Sequence, residues 1–291
     1  MRLHLIDGTF ELFRAHFSKR PSRTAEDGRD VKATVGVLLS LIGLLQDARE
    51  ECTHLAVAFD NPIRSFRNDL FADYKSGEGV PEEIAAQFDL VEQATAALGV
   101  AVWPMDQWEA DDALAAGAAR FVEEVDQVRI MTPDKDLGQC LTDPRVVQID
   151  RMRDKLIDAA AVRERRGVDP ENVPDWLALV GDTADGIPGI PGFGEKGTAA
   201  VLGRYKTVEA IPTLARDWDI KVRGAKRLAD NLAAQRADAL LYKKLATLVT
   251  DVPLPHTLAE LRWRAPTAAW PAMCSTLGAL DIRARAPTPR P

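Results

Sequence analysis

Short, almost wholly apolar runs separated by helix-like stretches are the feature that most narrows what this chain can fold into. The runs lie at residues 3–6, 55–59, 100–103, 128–131 and 146–149. They alternate too little for strands with one wet face, so they read as strands of a buried sheet. Helical patterns fall between them at residues 33–50, 82–98 and 109–124. Strand and helix taking turns predicts an α/β fold: a mostly parallel central sheet flanked by helices, with ligands gathering at the carboxyl ends of the strands. The Asp7-Gly8 pair after the first run reads as a turn.

From about Asp158 onward strand signals fade and helices dominate, broken by the Gly- and Pro-rich loop at residues 186–194. This divides the chain into an α/β domain over 1–160, a helical region over 161–255 and a C-terminal extension over 256–291. Residues 283–291, rich in Arg and Pro, read as a disordered tail. With 46% hydrophobic residues there is ample material for a core. No apolar run is long enough to span a bilayer and no signal-peptide pattern precedes the first strand, so a cytoplasmic protein with no membrane association is expected. The three cysteines form no CxxC pair, and the four histidines form no HExxH pattern. Neither a disulfide framework nor a histidine-rich metal site is supported, so any metal must be held by oxygen.

Acids stand where the strands end. Asp7 closes the first run and Asp60 the second, while Asp134 and Asp136 follow the fourth in Thr132-Pro133-Asp134-Lys135-Asp136. Glu109, Asp111 and Asp112 open a helix, where negative charge suits the macrodipole. Asp182 and Asp185 are three apart, on one side of a turn. Any one of these alone is an ordinary turn or helix-start residue; acids at this many element ends are harder to assign to solvation. Crowded carboxylates repel one another unless cations bind between them, and hard oxygen ligands select Mg²⁺ or Mn²⁺. Two such ions suit the in-line displacement of phosphodiester hydrolysis. A net charge of −7 argues only weakly against a nucleic-acid partner, because bound cations would offset part of it locally.

These motifs, together with Ile6-Asp7-Gly8-Thr9, Ser65-Phe66-Arg67, Tyr74-Lys75 and Gly192-Phe193-Gly194-Glu195-Lys196, resemble the 5′ nucleases. That family takes in the N-terminal nuclease domain of bacterial DNA polymerase I, phage 5′ to 3′ exonucleases and flap endonucleases. The resemblance runs from Leu3 to about Val252. It implies a structure-selective 5′ to 3′ exonuclease or flap endonuclease with a PIN-like fold. The metal ligands it implies are Asp7, Asp60, Glu109, Asp111, Asp112, Asp134, Asp136, Asp182 and Asp185, holding two ions. The first four would serve mainly one ion and the rest mainly the other.

By the same resemblance, residues 61–81 correspond to a helical arch that receives a single-stranded 5′ end, with Arg64, Arg67, Tyr74 and Lys75 touching DNA. Tyr74 would stack on a base. Lys75 and Arg14 would meet the scissile phosphate, joining Asp7, Asp60 and Asp134 as catalytic residues. One departure is Glu78, where relatives often carry a cation, which predicts a weaker grip on the backbone. Residues 174–204 resemble a helix-hairpin-helix in which Gly189, Gly192, Gly194 and Lys196 approach duplex phosphates and backbone oxygens hold K⁺. A Walker pattern fails because Glu195, not Lys, follows Gly194.

A further basic segment, Lys221, Arg223, Lys226 and Arg227, reads either as a phosphate contact or as an ordinary helix face. The implied partners are DNA with 5′ flaps, nicks or free 5′ ends, and RNA-DNA primers, met by a monomer. The length leaves no room for a polymerase domain, so a stand-alone nuclease is expected. The other readings are a weakly catalytic junction-binding protein and an RNA-directed nuclease of the same fold.

Overall fold

The computed structural model describes residues 1–75 and 80–288. Two compact units emerge: Met1–Ser65 with Gly77–Thr132 and Thr250–Pro291, and Phe66–Ser76 with Pro133–Val249.

In the first unit four strands, β1 (Arg2–Asp7), β2 (His54–Asp60), β3 (Ala101–Met105) and β4 (Gln127–Met131), lie parallel in the order β3-β2-β1-β4. Every residue of β2 is buried, as a central strand of a covered parallel sheet requires. The register sets Asp7 beside Ala58 and Ile6 beside Met131, so β1, β2 and β4 run out at one common rim. Asp7 does not begin a turn. It caps the helix Gly8–His16 directly, its Oδ1 accepting from Phe10 N at 2.8 Å.

The other expected helices are present with shifted ends. The first stops at Gln46, since Asp47 folds back to accept from Arg49 N at 2.9 Å. The stretch 82–98 is broken into Glu82–Ala85 and Phe88–Ala97. At the break, buried Gln87 turns inward and its Oε1 accepts from Thr34 N and Thr34 Oγ1, both at 3.0 Å. The C-terminal stretch packs on the same unit through Trp263, whose Nε1 donates to Leu98 O at 2.9 Å. Part of the expected disordered tail is placed: Arg283 ends the helix Leu280–Arg283, and Arg285 O accepts from Gln46 Nε2 at 2.9 Å. None of the described helices is long and apolar enough to cross a membrane.

The second unit holds an antiparallel pair, β5 (Val146–Asp150) and β6 (Lys155–Ile157). The latter is mostly exposed and has no apolar run to announce it. Helices Ala159–Arg166, Val173–Val180, Glu195–Tyr205, Ala225–Ala234 and Arg236–Ala246 follow. Val173–Val180 is the core helix, with Leu177, Ala178 and Leu179 fully buried. Its buried Asp175 is paired to Lys243 Nζ at 2.9 Å and accepts from Val208 N at 2.7 Å. Between Val173–Val180 and Glu195–Tyr205 runs a tight loop in which Asp182 and Ile187 exchange backbone hydrogen bonds of 2.8 Å.

Gly8 has no room for a side chain: a Cβ there would lie 2.5 Å from the Phe59 ring and 2.7 Å from Ala58 O. Gly8→Ala is expected to lower stability by about 1–3 kcal/mol, as overpacking does. Urea unfolding measures the change, and an unaltered midpoint would contradict this packing.

Candidate active site

In the first unit the strand register and one helix start gather the acids. Asp7 and Asp60 are 7% and 4% exposed. Asp7 Oδ2 accepts from Thr132 Oγ1 at 3.2 Å, at the end of the neighbouring β4. Asp60 Oδ1 accepts from Ala110 N at 2.8 Å, which ties it to the start of the helix Ala110–Phe121. Glu109 and Asp112 close a reciprocal capping box at that start. Glu109 Oε1 also accepts from Ser65 Oγ at 2.7 Å. Asp112 is fully buried, and its Oδ2 accepts from Glu109 N at 3.0 Å. Its visible work is therefore to fix Glu109, whereas Asp111 stays half-buried on another face.

Arg14 is held in place by residues no motif singled out. Its Nη2 donates to buried Glu11 one helical turn back and to Ser40 Oγ at 3.0 Å. An i,i+3 acid preceding an Arg was the available signal, but it reads equally as an ordinary helix pair.

In the second unit Asp136, Asp182 and Asp185 each offer a carboxylate oxygen within 4.8 Å of the others. Asp136 and Asp182 are 5% and 3% exposed. Asp134 is exposed and its Oδ1 accepts from Asp136 N at 2.9 Å. Burial raises the Asp136 pKa well above the usual carboxylate range, and Asp134, Asp185 and Asp182 push it the same way. Lys135 opposes them. Burial alone would lower the pKa of Lys135, but Asp182, bonded to its Nζ at 2.6 Å, outweighs this with Asp136 and Asp134 and raises it. Asp136 Oδ1 is buried and lacks a hydrogen-bond partner. A buried acceptor with no donor, beside two more carboxylates, is the donor set a hard divalent cation requires.

Lys75 joins this cluster through its backbone. Its N–H donates to Asp185 O at 3.2 Å, and its own carbonyl accepts from Asn68 Nδ2 at 3.1 Å.

Three of the residues expected to touch DNA are placed otherwise. Arg67 is 1% exposed; its Nε donates to Leu245 O at 2.7 Å and its Nη2 to Thr247 O at 3.0 Å. It caps the orphan carbonyls that close the helix Arg236–Ala246. Tyr74 is 2% exposed, so its ring has no free face for a base. Gly189 is buried with φ +72°, and a Cβ there would lie 2.6 Å from Val180 C, so glycine is required by the hairpin's own turn. The expected arch carries only one short helix among its described residues, Arg67–Leu70, and Glu78 lies outside the described residues. Arg64, Gly192, Gly194 and Lys196 are exposed, as contact with a duplex demands. Lys221 and Arg223 face the same cavity of about 600 Å³ as Gly192, Gly194 and Lys196, which favours the phosphate-contact reading of that basic segment.

Comparison with known proteins agrees with this geometry. Residues 2–167 match the family described as 5′-3′ exonuclease, N-terminal resolvase-like domain, and residues 168–269 match 5′-3′ exonuclease, C-terminal SAM fold. A 5′-3′ exonuclease of Aquifex aeolicus is 31% identical over 265 residues, covering 91% of this chain and 87% of that protein. DNA polymerase I of Rhizobium leguminosarum is 38% identical over 266 residues, covering 89% of this chain. The chain spans only 26% of that polymerase. Among solved structures, a phage T5 flap endonuclease in a pseudo-enzyme-product complex with DNA and metal ions superposes with a TM-score of 0.63 at 20% identity, covering 86% of this chain and 90% of that one.

Two outcomes follow for the buried charges. Asp136→Asn should stabilise the protein when divalent ions are chelated at neutral pH, by about 2–4 °C for each kcal/mol of repulsion relieved. The sign follows from its raised pKa: stability from the neutral carboxyl is present near pH 4 and is lost as pH climbs through the folded value. Thermal unfolding in EDTA and in excess Mg²⁺ measures both, and a destabilised variant in EDTA would refute the repulsion. Arg67→Ala should cost about 2 kcal/mol or more by orphaning two carbonyls, measured by urea unfolding.

Proposed function

Because this chain belongs to the 5′-3′ exonuclease family of DNA-cleaving hydrolases, we propose that it hydrolyses phosphodiester bonds at or near free 5′ ends. Flaps, nicks and RNA-DNA primers are its substrates, and it leaves a 5′ phosphate and a 3′ hydroxyl. The observation that carries this reading is the Asp136, Asp182, Asp185 cluster, with Asp136 and Asp182 buried and one Asp136 oxygen orphaned. Two ions, Mg²⁺ or Mn²⁺, would supply a polarised attacking water and stabilise the leaving oxygen when bound. Asp7, Asp60, Glu109 and Asp111 serve mainly one of them, and Asp134, Asp136, Asp182 and Asp185 the other, with Asp112 holding Glu109 in place.

The chain's own cations do the remaining work. Arg14, braced by Glu11 and Ser40, presents a guanidinium of fixed direction to the scissile phosphate. Lys75 offsets charge that builds on the phosphate oxygens. Residues 1–160 carry most of the catalytic acids, and residues 161–255 add Asp182 and Asp185 together with the duplex grip. In the hairpin, Gly192, Gly194 and Lys196 meet the duplex, Lys221 and Arg223 extend that surface, and backbone oxygens hold K⁺. The protein acts as a monomer in the cytoplasm.

Cleavage of labelled flap, nick and single-strand DNA, with an RNA flap alongside, tests this. Flap cleavage should need Mg²⁺ or Mn²⁺ and stop in EDTA. Asp134→Asn and Lys75→Ala should each reduce its rate about 100-fold or more with binding retained. Rates that persist in EDTA, or a preference for the RNA flap, would refute the proposal.

A further inference from the structure

Beside the acid cluster the second unit carries a cavity of about 320 Å³, lined by Lys135, Arg165, Arg166, Trp176, Glu195 and the backbone from Val180 to Ala184. Arg166 closes the helix Ala159–Arg166 and is only 8% exposed. Its guanidinium sits 5.5 Å from the centroid of the Trp176 ring. Gly138 leaves the space it occupies, since a Cβ there would lie 2.9 Å from Arg166 Nη1. Among the described residues no hydrogen bond or ion pair is made by this guanidinium. Asp136, Asp134 and Asp182 attract it at longer range without pairing to it.

Trp176 is 6% exposed, and its Nε1–H is buried with no acceptor. Arg165 is exposed at the same cavity, whereas Lys135 is committed to Asp182. Of the acids that line the space, Asp182 is thus engaged and Glu195 is exposed. A guanidinium stacked on an indole ring, with no anion bound to it and a second arginine at the same cavity, leaves its donors available to a ligand.

We propose that this cavity binds the terminal phosphate of a nucleotide, either a released nucleoside 5′-monophosphate or a phosphorylated 5′ end. A phosphate monoester carries nearly two charges at neutral pH and three acceptor oxygens, which matches the donors of two uncommitted arginines. Guanidinium forks grip such oxygens in pairs, and stacking on Trp176 fixes the plane of the Arg166 fork beforehand. The volume falls within the range of small-molecule sites and exceeds what a bare anion needs. The source of the ligand rests on the hydrolysis proposed above; the binding itself does not, and is measured without turnover.

Isothermal titration of the full chain with inorganic phosphate, thymidine 5′-monophosphate, thymidine and a 5′-phosphorylated single-stranded trinucleotide tests the site, in EDTA and again in Mg²⁺. The monophosphate should bind at least about tenfold tighter than thymidine in both buffers. Arg165→Ala, on the surface, and Arg166→Lys, which keeps the charge and loses the fork, should each weaken it by a similar factor with melting temperature unchanged. Tighter binding of the monophosphate than of the trinucleotide assigns the site to product, and the reverse order to substrate ends. Binding that needs Mg²⁺ and ignores both substitutions would place the phosphate on the metal ions and overturn the proposal, as would equal affinity for thymidine or no binding at all. Flap cleavage by the same variants is scored separately, so loss of this site and failure of the nuclease reading are told apart.

Discussion

Like charges forced together out of water govern the second unit of this protein. Three carboxylates with oxygens within 4.8 Å of one another, two of them almost wholly buried, cannot all be ionised at ease. One lysine, Lys135, offsets part of the repulsion and leaves Asp136 with an unpartnered oxygen. The fold tolerates this because Val173–Val180 and its neighbours supply a deep apolar core, and because Asp175, the acid buried within it, has a lysine of its own. Stability is given up at the cluster, and a cation bound there would restore it.

The first unit meets a similar need by geometry. Parallel register delivers Asp7 and Asp60 to one rim, and helix-start hydrogen bonds fix what register alone leaves loose. Thr132, Ser65 and Ala110 N each hold one acidic oxygen at a set position. Asp7 has both oxygens held, Oδ1 by Phe10 N and Oδ2 by Thr132 Oγ1.

Much of this was legible in the sequence because burial in a parallel sheet leaves an unbroken apolar run, and an acid after such a run is conspicuous. Asp7, Asp60 and Asp136 stand out in that way, whereas Asp182 stands out through its spacing from Asp185. What sequence does not reveal is the partner of a side chain. Arg67 and Tyr74 sit in a motif suited to DNA, yet Arg67 closes a helix far along the chain and Tyr74 is packed away. The Gly8–His16 helix was hidden because Asp-Gly spells a turn in isolation, while here Asp7 is an N-cap and Gly8 yields space to Phe59. The break at Gln87 likewise depends on Thr34, more than fifty residues earlier. Lys135 and Arg166 drew no notice because a cation among acids, or at a helix end, is unremarkable until its surroundings are known.

The hydrogen bond from Lys75 N to Asp185 O joins two segments that are remote in sequence. Gly186 reinforces the joint, for a Cβ there would fall 2.3 Å from Asp73 O. Any rearrangement of the turn bearing Asp182 and Asp185 therefore drags the backbone of Lys75 with it. Ion occupancy and the posture of the lysine are thermodynamically reciprocal: whatever one does to the other's equilibrium is returned in equal measure. Whatever holds the backbone of Lys75 in this posture therefore also holds the turn that carries the two aspartates.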